Sequence, residues 1–209
     1  MPAVSSPRSK PDSARAVSSY YDAEAVVYDE TRGGHPRAAA AAAAVASLVP
    51  TRGLAVDVAG GTGIVSAELS RLGFSMVVVD LSTGMLSLAA GRLPGRVVAA
   101  SADALPIRSG SMDLVTTVWL LHLLPIEIAD RVVAEAARVL RPGGHFVTTV
   151  DKDLAHGRAR RTNADHAERI TGVADRHGLG FIGATSFTGA TQWASVGGQV
   201  FAVSAFRKE

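Results

Sequence analysis

Five short runs of apolar, β-favouring residues recur along the first three quarters of the chain: LAVDVA (54–59), FSMVVVD (74–80), GRVVAAS (95–101), MDLVTTVWLL (112–121) and GHFVTTV (144–150). Helix-like segments at 62–72, 82–91 and 125–140 separate them, with a shorter connection after the third. Strands that are apolar along their whole length must be covered on both faces, and strand–helix alternation covers them by making the sheet parallel. Two later runs, GFIGATSF (180–187) and GQVFAVSAF (198–206), have only a turn-rich segment between them. They are too close for a crossover, so they are expected to pair antiparallel at one edge. The expected architecture is α/β: seven strands, mostly parallel with the last antiparallel, and helices on both faces.

With 209 residues, 47% of them hydrophobic, the chain can bury one good core. A single domain over 18–209 is expected. The formal charge of +2 is scattered and forms no basic stripe, which disfavours a nucleic-acid partner. The absence of cysteine removes disulfides, thiolate metal sites and cysteine nucleophiles, and suits a reducing, cytoplasmic setting. The run AAAAAAAVASLVP follows His35, Pro36 and Arg37 and reads as a helix opening at a proline, not as a membrane span. Residues 1–17, rich in Ser, Pro and Arg, read as a mobile tail. In an open α/β sheet, ligands bind at the carboxyl ends of the strands. Residues 18–48, two helices before the first strand, and 151–178, a polar loop and a helix after the fifth, are therefore expected to cover that edge.

After the first strand, Ala59, Gly60, Gly61 and Gly63 remove side chains where the chain must turn, and Thr62 is expected to start the next helix. Such a turn lets a ligand approach the backbone. It equally fits a dinucleotide fingerprint, with Ser66 as the third small residue, or a tight turn with no ligand at all. Asp80 ends the second strand, where a carboxylate can accept both hydrogens of a ribose diol. Its other reading is a cap for the helix that follows, a task Ser82 or Thr83 could also perform. Asp103, in SADALPI, falls beside the same crevice and can accept from an adenine amino group; otherwise the segment is a turn ended by Pro106.

Taken together, VDVAGGTG, VVVDLSTGML, ADALP, SMDLVTTVWLLHLL and RVLRPGGHF resemble, in order and spacing, the class I methyltransferases that use S-adenosylmethionine (SAM). Within that family the chain is similar to the small-molecule branch that includes ubiquinone and menaquinone methyltransferases. The resemblance implies a Rossmann-like fold with SAM as cofactor. It puts Asp57, Ala59, Gly60, Gly61, Thr62 and Gly63 at the loop under the methionine part, with Ala59 where a first glycine is usual. Alanine there is expected to keep φ negative and displace the loop slightly. The resemblance also puts Asp80 on the ribose and Leu81 and Met85 beside the adenine. Asp103, flanked by Ala102 and Ala104, falls on the adenine amino group, and Val118 and Trp119 lie below the methionine portion. Tyr28 and Arg32, in YDETR, match the family's N-terminal segment, which closes on SAM and can contact its carboxylate. RPGGHF is expected to be the turn entering the fifth strand.

Methyl transfer from a sulfonium needs mainly alignment and exclusion of water. Aromatic faces can hold the cation, and Tyr20, Tyr21 and Trp119 are candidates for that wall or for packing onto the sheet. His156, in the loop after the fifth strand, is the candidate base facing the acceptor; His122 and His35 are further candidates. His145, His166 and His177 read as structural or exposed. Asp151 and Asp153 have no acid from the fourth strand to join them, so transfer without a metal is expected. The expected partner is a small-molecule methyl acceptor chosen by the N-terminal helices and residues 151–165, with the protein a monomer or homodimer and no membrane involved. A nicotinamide-dependent reductase is the competing reading, but Tyr20, Tyr21 and Tyr28 lack a lysine four residues on. A noncatalytic SAM-binding protein is another. RNA methylation would call for an appended basic domain.

Overall fold

The computed structural model describes residues 14–157, 164–189 and 198–209. In chain order the elements are α1 (Ala14–Thr31), α2 (Gly34–Leu48), β1 (Leu54–Val58), α3 (Ile64–Arg71), β2 (Ser75–Asp80), α4 (Thr83–Arg92), β3 (Val97–Ala99) and β4 (Met112–Thr117). A 3₁₀ turn (Leu121–Leu123) follows, then α5 (Ile126–Val139), β5 (Leu140–Val150), α6 (Lys152–Ala155), α7 (Ala167–Arg176), β6 (Leu179–Gly189) and β7 (Gln199–Lys208). The strands form one seven-stranded sheet in the order β3-β2-β1-β4-β5-β7-β6. The first five are mutually parallel, and β7 runs antiparallel to both β5 and β6, so the expected sheet is the observed one.

Side-chain alternation along the strands divides the core in two. Val56, Val58, Val115 and Phe146 pack toward α5 and α7, whose buried residues Val132, Val133, Ala136 and Ile170, Val173, Ala174 follow helical spacing. Ala55, Met76, Val78 and Leu114 face the other way, against α2, α3 and α4. The alanines of α2 bury Ala38, Ala41 and Ala42 almost completely, and their small size lets the helix lie close to α3 and β6.

Several boundaries differ from expectation. Residues 14–17, expected in the tail, belong to α1, and residues 1–13 lie outside the described residues. Helix α3 starts at Ile64 and not at Thr62, because Gly63 takes a left-handed φ of 70° at the cap. RPGGHF lies inside β5: Met112 pairs with Leu140 but Leu114 pairs with His145, so the turn is a bulge within the strand and not its entry. Of the segment 151–165, residues 152–155 are the short α6, and 158–163 lie outside the described residues. Among the described residues, no helix is long and apolar enough to cross a membrane.

Candidate functional site

Among the described residues, three other than glycine have positive φ: Ala59 (56°), Trp119 (61°) and Asp151 (51°). They follow β1, β4 and β5, so all three stand at the carboxyl edge of the sheet, where strained backbone marks a binding edge. For Ala59 the expectation of a negative φ is overturned. The Gly60 amide donates to Val79 O (3.2 Å) and the Gly61 amide to Asp80 Oδ2 (2.8 Å), which pins the loop to β2 and holds Ala59 left-handed. A left-handed alanine costs on the order of 1–2 kcal/mol.

Gly60 has no room for a side chain, since a Cβ would stand 2.9 Å from Asp57 Oδ2 and 3.0 Å from Val78. Asp57 is thus a strut beneath the loop. It is 2% exposed, accepting from Ser66 Oγ (2.5 Å) and Thr116 Oγ1 (2.8 Å). Burial without a cation pushes its carboxyl up to about 6, against which the two hydroxyl bonds act. Asp80 is likewise raised by burial, offset by bonds from the Ser82, Gly61 and Leu81 amides. Its Oδ1 accepts from Ser82 N–H at 2.8 Å. Ser82 itself caps α4 by accepting from Met85 N–H, so the capping role weighed for Asp80 falls to Ser82.

Met85 is buried below the loop, its Sδ 3.9 Å from where a Gly61 Cβ would be, while Leu81 stands exposed at the rim. Asp103 is held by Ser101 Oγ (2.5 Å) and by Arg131 (2.9 Å), which keep its carboxyl below the usual range. Its loop, with half-buried Ala102 and exposed Ala104, is clamped from α5: Glu135 accepts from Leu105 N–H, and Arg138 donates to Leu105 O and Ile107 O.

Helix α1 lies across this edge. Asp22 accepts from Ser82 Oγ (2.6 Å) and Gly84 N–H (2.8 Å) at the start of α4, and Ser18 Oγ donates to Leu81 O (3.2 Å). Two turns on, Asp29 accepts from Thr62 Oγ1 (2.6 Å) and pairs with Arg92 (2.5 Å), which also donates to Thr62 O. Tyr20, Tyr21 and Tyr28 make an edge-on series on the same helix, and burial pushes the Tyr21 and Tyr28 phenols up. Arg32 approaches the Tyr28 ring at 5.3 Å and Glu24 at 3.8 Å. Tyr28, Asp29, Arg32, Arg37, Ile64 and Trp119 border a cavity of about 30 Å³, room for little more than a water. That cavity alone would not hold a nucleoside-sized ligand.

Trp119 leaves the tyrosines for a second aromatic group. Its amide donates to Thr149 Oγ1 (2.7 Å), and its ring meets Phe187 of β6 and Phe201 of β7 edge-on, at 5.8 and 5.7 Å. Val118 packs beside it on the α2 side. His156 joins the group, its Nδ1 2.6 Å from Gln199 Nε2 and its ring 6.0 Å from Phe201. His122 lies 2.8 Å from Lys152 Nζ, and His35 pairs with Glu68 away from the group. Among the described residues, no three His, Asp or Glu side chains gather as metal ligands would. Sequence reasoning missed Asp22, Asp29 and Arg92, although Asp22 and Asp29 are seven residues apart and so share a helix face. It also missed Phe187, Phe201 and Arg37, which reach the edge only through tertiary packing.

Residues 56–148 match the family model described as "Methyltransferase domain". The chain is 36% identical over 145 residues, 64% of its own length and 55% of the relative's, to the ubiquinone/menaquinone biosynthesis C-methyltransferase of Methylobacterium nodulans. Over 93 residues it is 40% identical to a demethylmenaquinone methyltransferase of Beutenbergia cavernae, covering 44% of this chain and 38% of that protein. The chain thus spans about half or less of the length of these relatives. A solved SAM-dependent methyltransferase of Thermotoga maritima shares the fold with a TM-score of 0.65 at 21% identity, covering 94% of this chain and 97% of that one. Residues 56–148 thus match a methyltransferase domain, in a fold shared with a solved SAM-dependent methyltransferase.

Proposed function

We propose that the chain transfers the methyl group of SAM to a nucleophilic oxygen, nitrogen or carbon of a small molecule, with a quinone-like or secondary-metabolite acceptor favoured by the relatives it resembles. The observation that carries this reading is the Asp80 carboxylate, held at the end of β2 by the Gly61 and Ser82 amides. A carboxylate with both oxygens fixed still has lone pairs to accept from a ribose diol. The open side of Gly61, bounded by Met85 Sδ at 3.9 Å, leaves the backbone bare beside it. SAM would supply an already activated methyl; the chain supplies position.

In this reading residues 18–209 act as one domain, and the N-terminal helices 18–48 are the lid. Asp80 holds the ribose, Leu81 and Met85 flank the adenine, and Asp103 with Ala102 and Ala104 forms the adenine rim. Asp57 supports the loop Ala59–Gly63 under the methionine part, near Val118 and Trp119. Tyr28 and Arg32 close over its carboxylate, and Tyr20 and Tyr21 face the cation. His156, beside Phe201, is the group placed to take a proton from the acceptor. The partner is a small molecule, the working form a monomer or homodimer, and the setting cytoplasmic. Calorimetric titration with SAM, S-adenosylhomocysteine (SAH) and NADH tests the reading. Micromolar SAM and SAH binding with no NADH binding is expected; NADH binding without SAM or SAH would overturn it.

A further inference from the structure

Arg37 is a buried cation without a carboxylate. It is 5% exposed, it takes part in no ion pair among the described residues, and its Nε has no hydrogen-bond partner. Among the described residues, its one side-chain hydrogen bond runs from Nη1 to Arg32 O at 2.8 Å. Burial lowers the guanidinium to about 10, so the charge persists at neutral pH. The cavity it borders contains one carboxylate, Asp29, and that is already engaged by Arg92 and Thr62. A desolvated charge left this way is expensive for a fold to keep, unlike the surface arginines elsewhere in the chain.

The surroundings of Arg37 are built and not accidental. Its guanidinium carbon stands 3.6 Å from the Trp119 ring centre and 4.6 Å from that of Phe201. Such stacking fixes the plane of the fork while leaving its edge N–H groups to a ligand. Space for the arginine stem comes from Gly189 of β6, where a Cβ would be 2.7 Å from Arg37 Cγ. The Trp119 Nε1 is a second buried donor with no partner, on the side chain that Arg37 stacks against. Two orphan donors on touching side chains ask for an acceptor with negative charge.

Placement distinguishes which anion. Trp119, just after β4, is shared with the proposed methionine contacts, but Phe187, Gly189 and Phe201 come from β6 and β7, on the far side of β4 from β2 and β3, where the proposed ribose and adenine contacts lie. The sheet order puts β1 between β2 and β4. The geometry points to Arg37 as the receptor for an anionic group, a carboxylate or an ionised phenol, on an aromatic methyl acceptor that seats beside the partly exposed Trp119. This deepens the methyltransferase reading and rests on it, naming the acceptor as an organic acid and not a neutral molecule.

Benzoate and its neutral isostere benzamide are the probes, titrated calorimetrically into the full chain with and without saturating SAH. Benzoate is expected to bind the SAH-loaded protein at least tenfold more tightly than benzamide. Arg37→Met should abolish that preference and leave the SAH dissociation constant within threefold of wild type, while Arg37→Lys should keep part of the preference. Because methionine removes an unpaired buried charge, its melting temperature should equal or exceed that of wild type. Equal binding of the two probes, or binding of neither, overturns the inference. So does a tenfold loss of SAH affinity in Arg37→Met or Arg37→Lys, which would assign the arginine to the cofactor's carboxylate. If Arg37→Met does not fold, the wild-type comparison and Arg37→Lys decide. Failure of wild type to bind SAH while still preferring benzoate would instead sink the methyltransferase reading and leave an acid-binding site.

Discussion

Asp80 and Gly61, nineteen positions apart, are joined by a 2.8 Å hydrogen bond from the Gly61 amide to the Asp80 carboxylate. The residue proposed to hold the ribose therefore also shapes the loop proposed to lie under the methionine. Asp80→Ala removes both functions. Hydrogen bonds to a charged acceptor contribute about 1.5–3 kcal/mol each, so SAH affinity should fall by roughly 100-fold. Asp80→Asn, which keeps one acceptor oxygen, should lose about tenfold. Calorimetry reads the affinity and circular dichroism the fold; a folded Asp80→Ala with wild-type affinity would reject the assignment.

Ala59 holds a φ of 56° with a side chain that disfavours it. Ala59→Gly relieves on the order of 1–2 kcal/mol of left-handed strain and adds about 0.4–1 kcal/mol of unfolded-state entropy. The net gain of about 0.5–1 kcal/mol should raise the melting temperature by about 1–4 °C. Ala59→Val should lower it, because a β-branched side chain tolerates positive φ still less well. Calorimetric melts of the three proteins check the order.

The parallel strands were legible because their runs are mostly apolar and helix-like or turn segments separate them. Asp80 was legible for the same reason: an acid closing an apolar run, VVVD, is conspicuous without any tertiary information. Register was harder to see. The bulge in β5 pairs Leu140 with Met112 and His145 with Leu114, and the local sequence RPGG serves a turn before a strand or a bulge inside one equally well. The acceptor side was opaque for a deeper reason. Trp119 meets Phe187 and Phe201 only because β7 inserts between β5 and β6, and Arg37 reaches them because Gly189 leaves space. None of these contacts has a sequence period; each depends on where the β6–β7 pair docks. The positive φ of Ala59 escaped reading because the hydrogen bonds that impose it come from Val79 and Asp80, on a different strand.

The clasp between α1 and the glycine loop can be measured directly. Asp29 and Arg92 are both about three-quarters buried at their ion pair, with Thr62 bonded to each. A double-mutant cycle of Asp29→Ala and Arg92→Ala should give a coupling of about 1 kcal/mol, above the value for a fully exposed pair. Amide exchange should then quicken along residues 18–31 in either single variant, and SAH should dissociate faster. A coupling near zero with unchanged exchange would show that the pair does not hold the helix down.

Asp57 predicts the pH dependence. Its carboxyl is raised to about 6 by burial, above its unfolded value, so protonation favours the folded state. The stabilisation from this group is complete below about pH 4 and is lost as pH rises through about 6, amounting to about 3 kcal/mol at most. A cationic ligand reverses the preference. The ammonium and sulfonium of SAM above the loop would favour the carboxylate and lower its pKa, so binding must release a proton at pH values between the bound and free pKa. SAM affinity should rise from pH 5 to pH 7 with a midpoint near 6 and then level off, and Asp57→Asn should flatten the profile. Calorimetry in buffers of different ionisation enthalpy counts the proton directly. A flat profile in wild type, or a profile that persists in Asp57→Asn, would move the titration to another group, with Asp80, also raised by burial, the next to test.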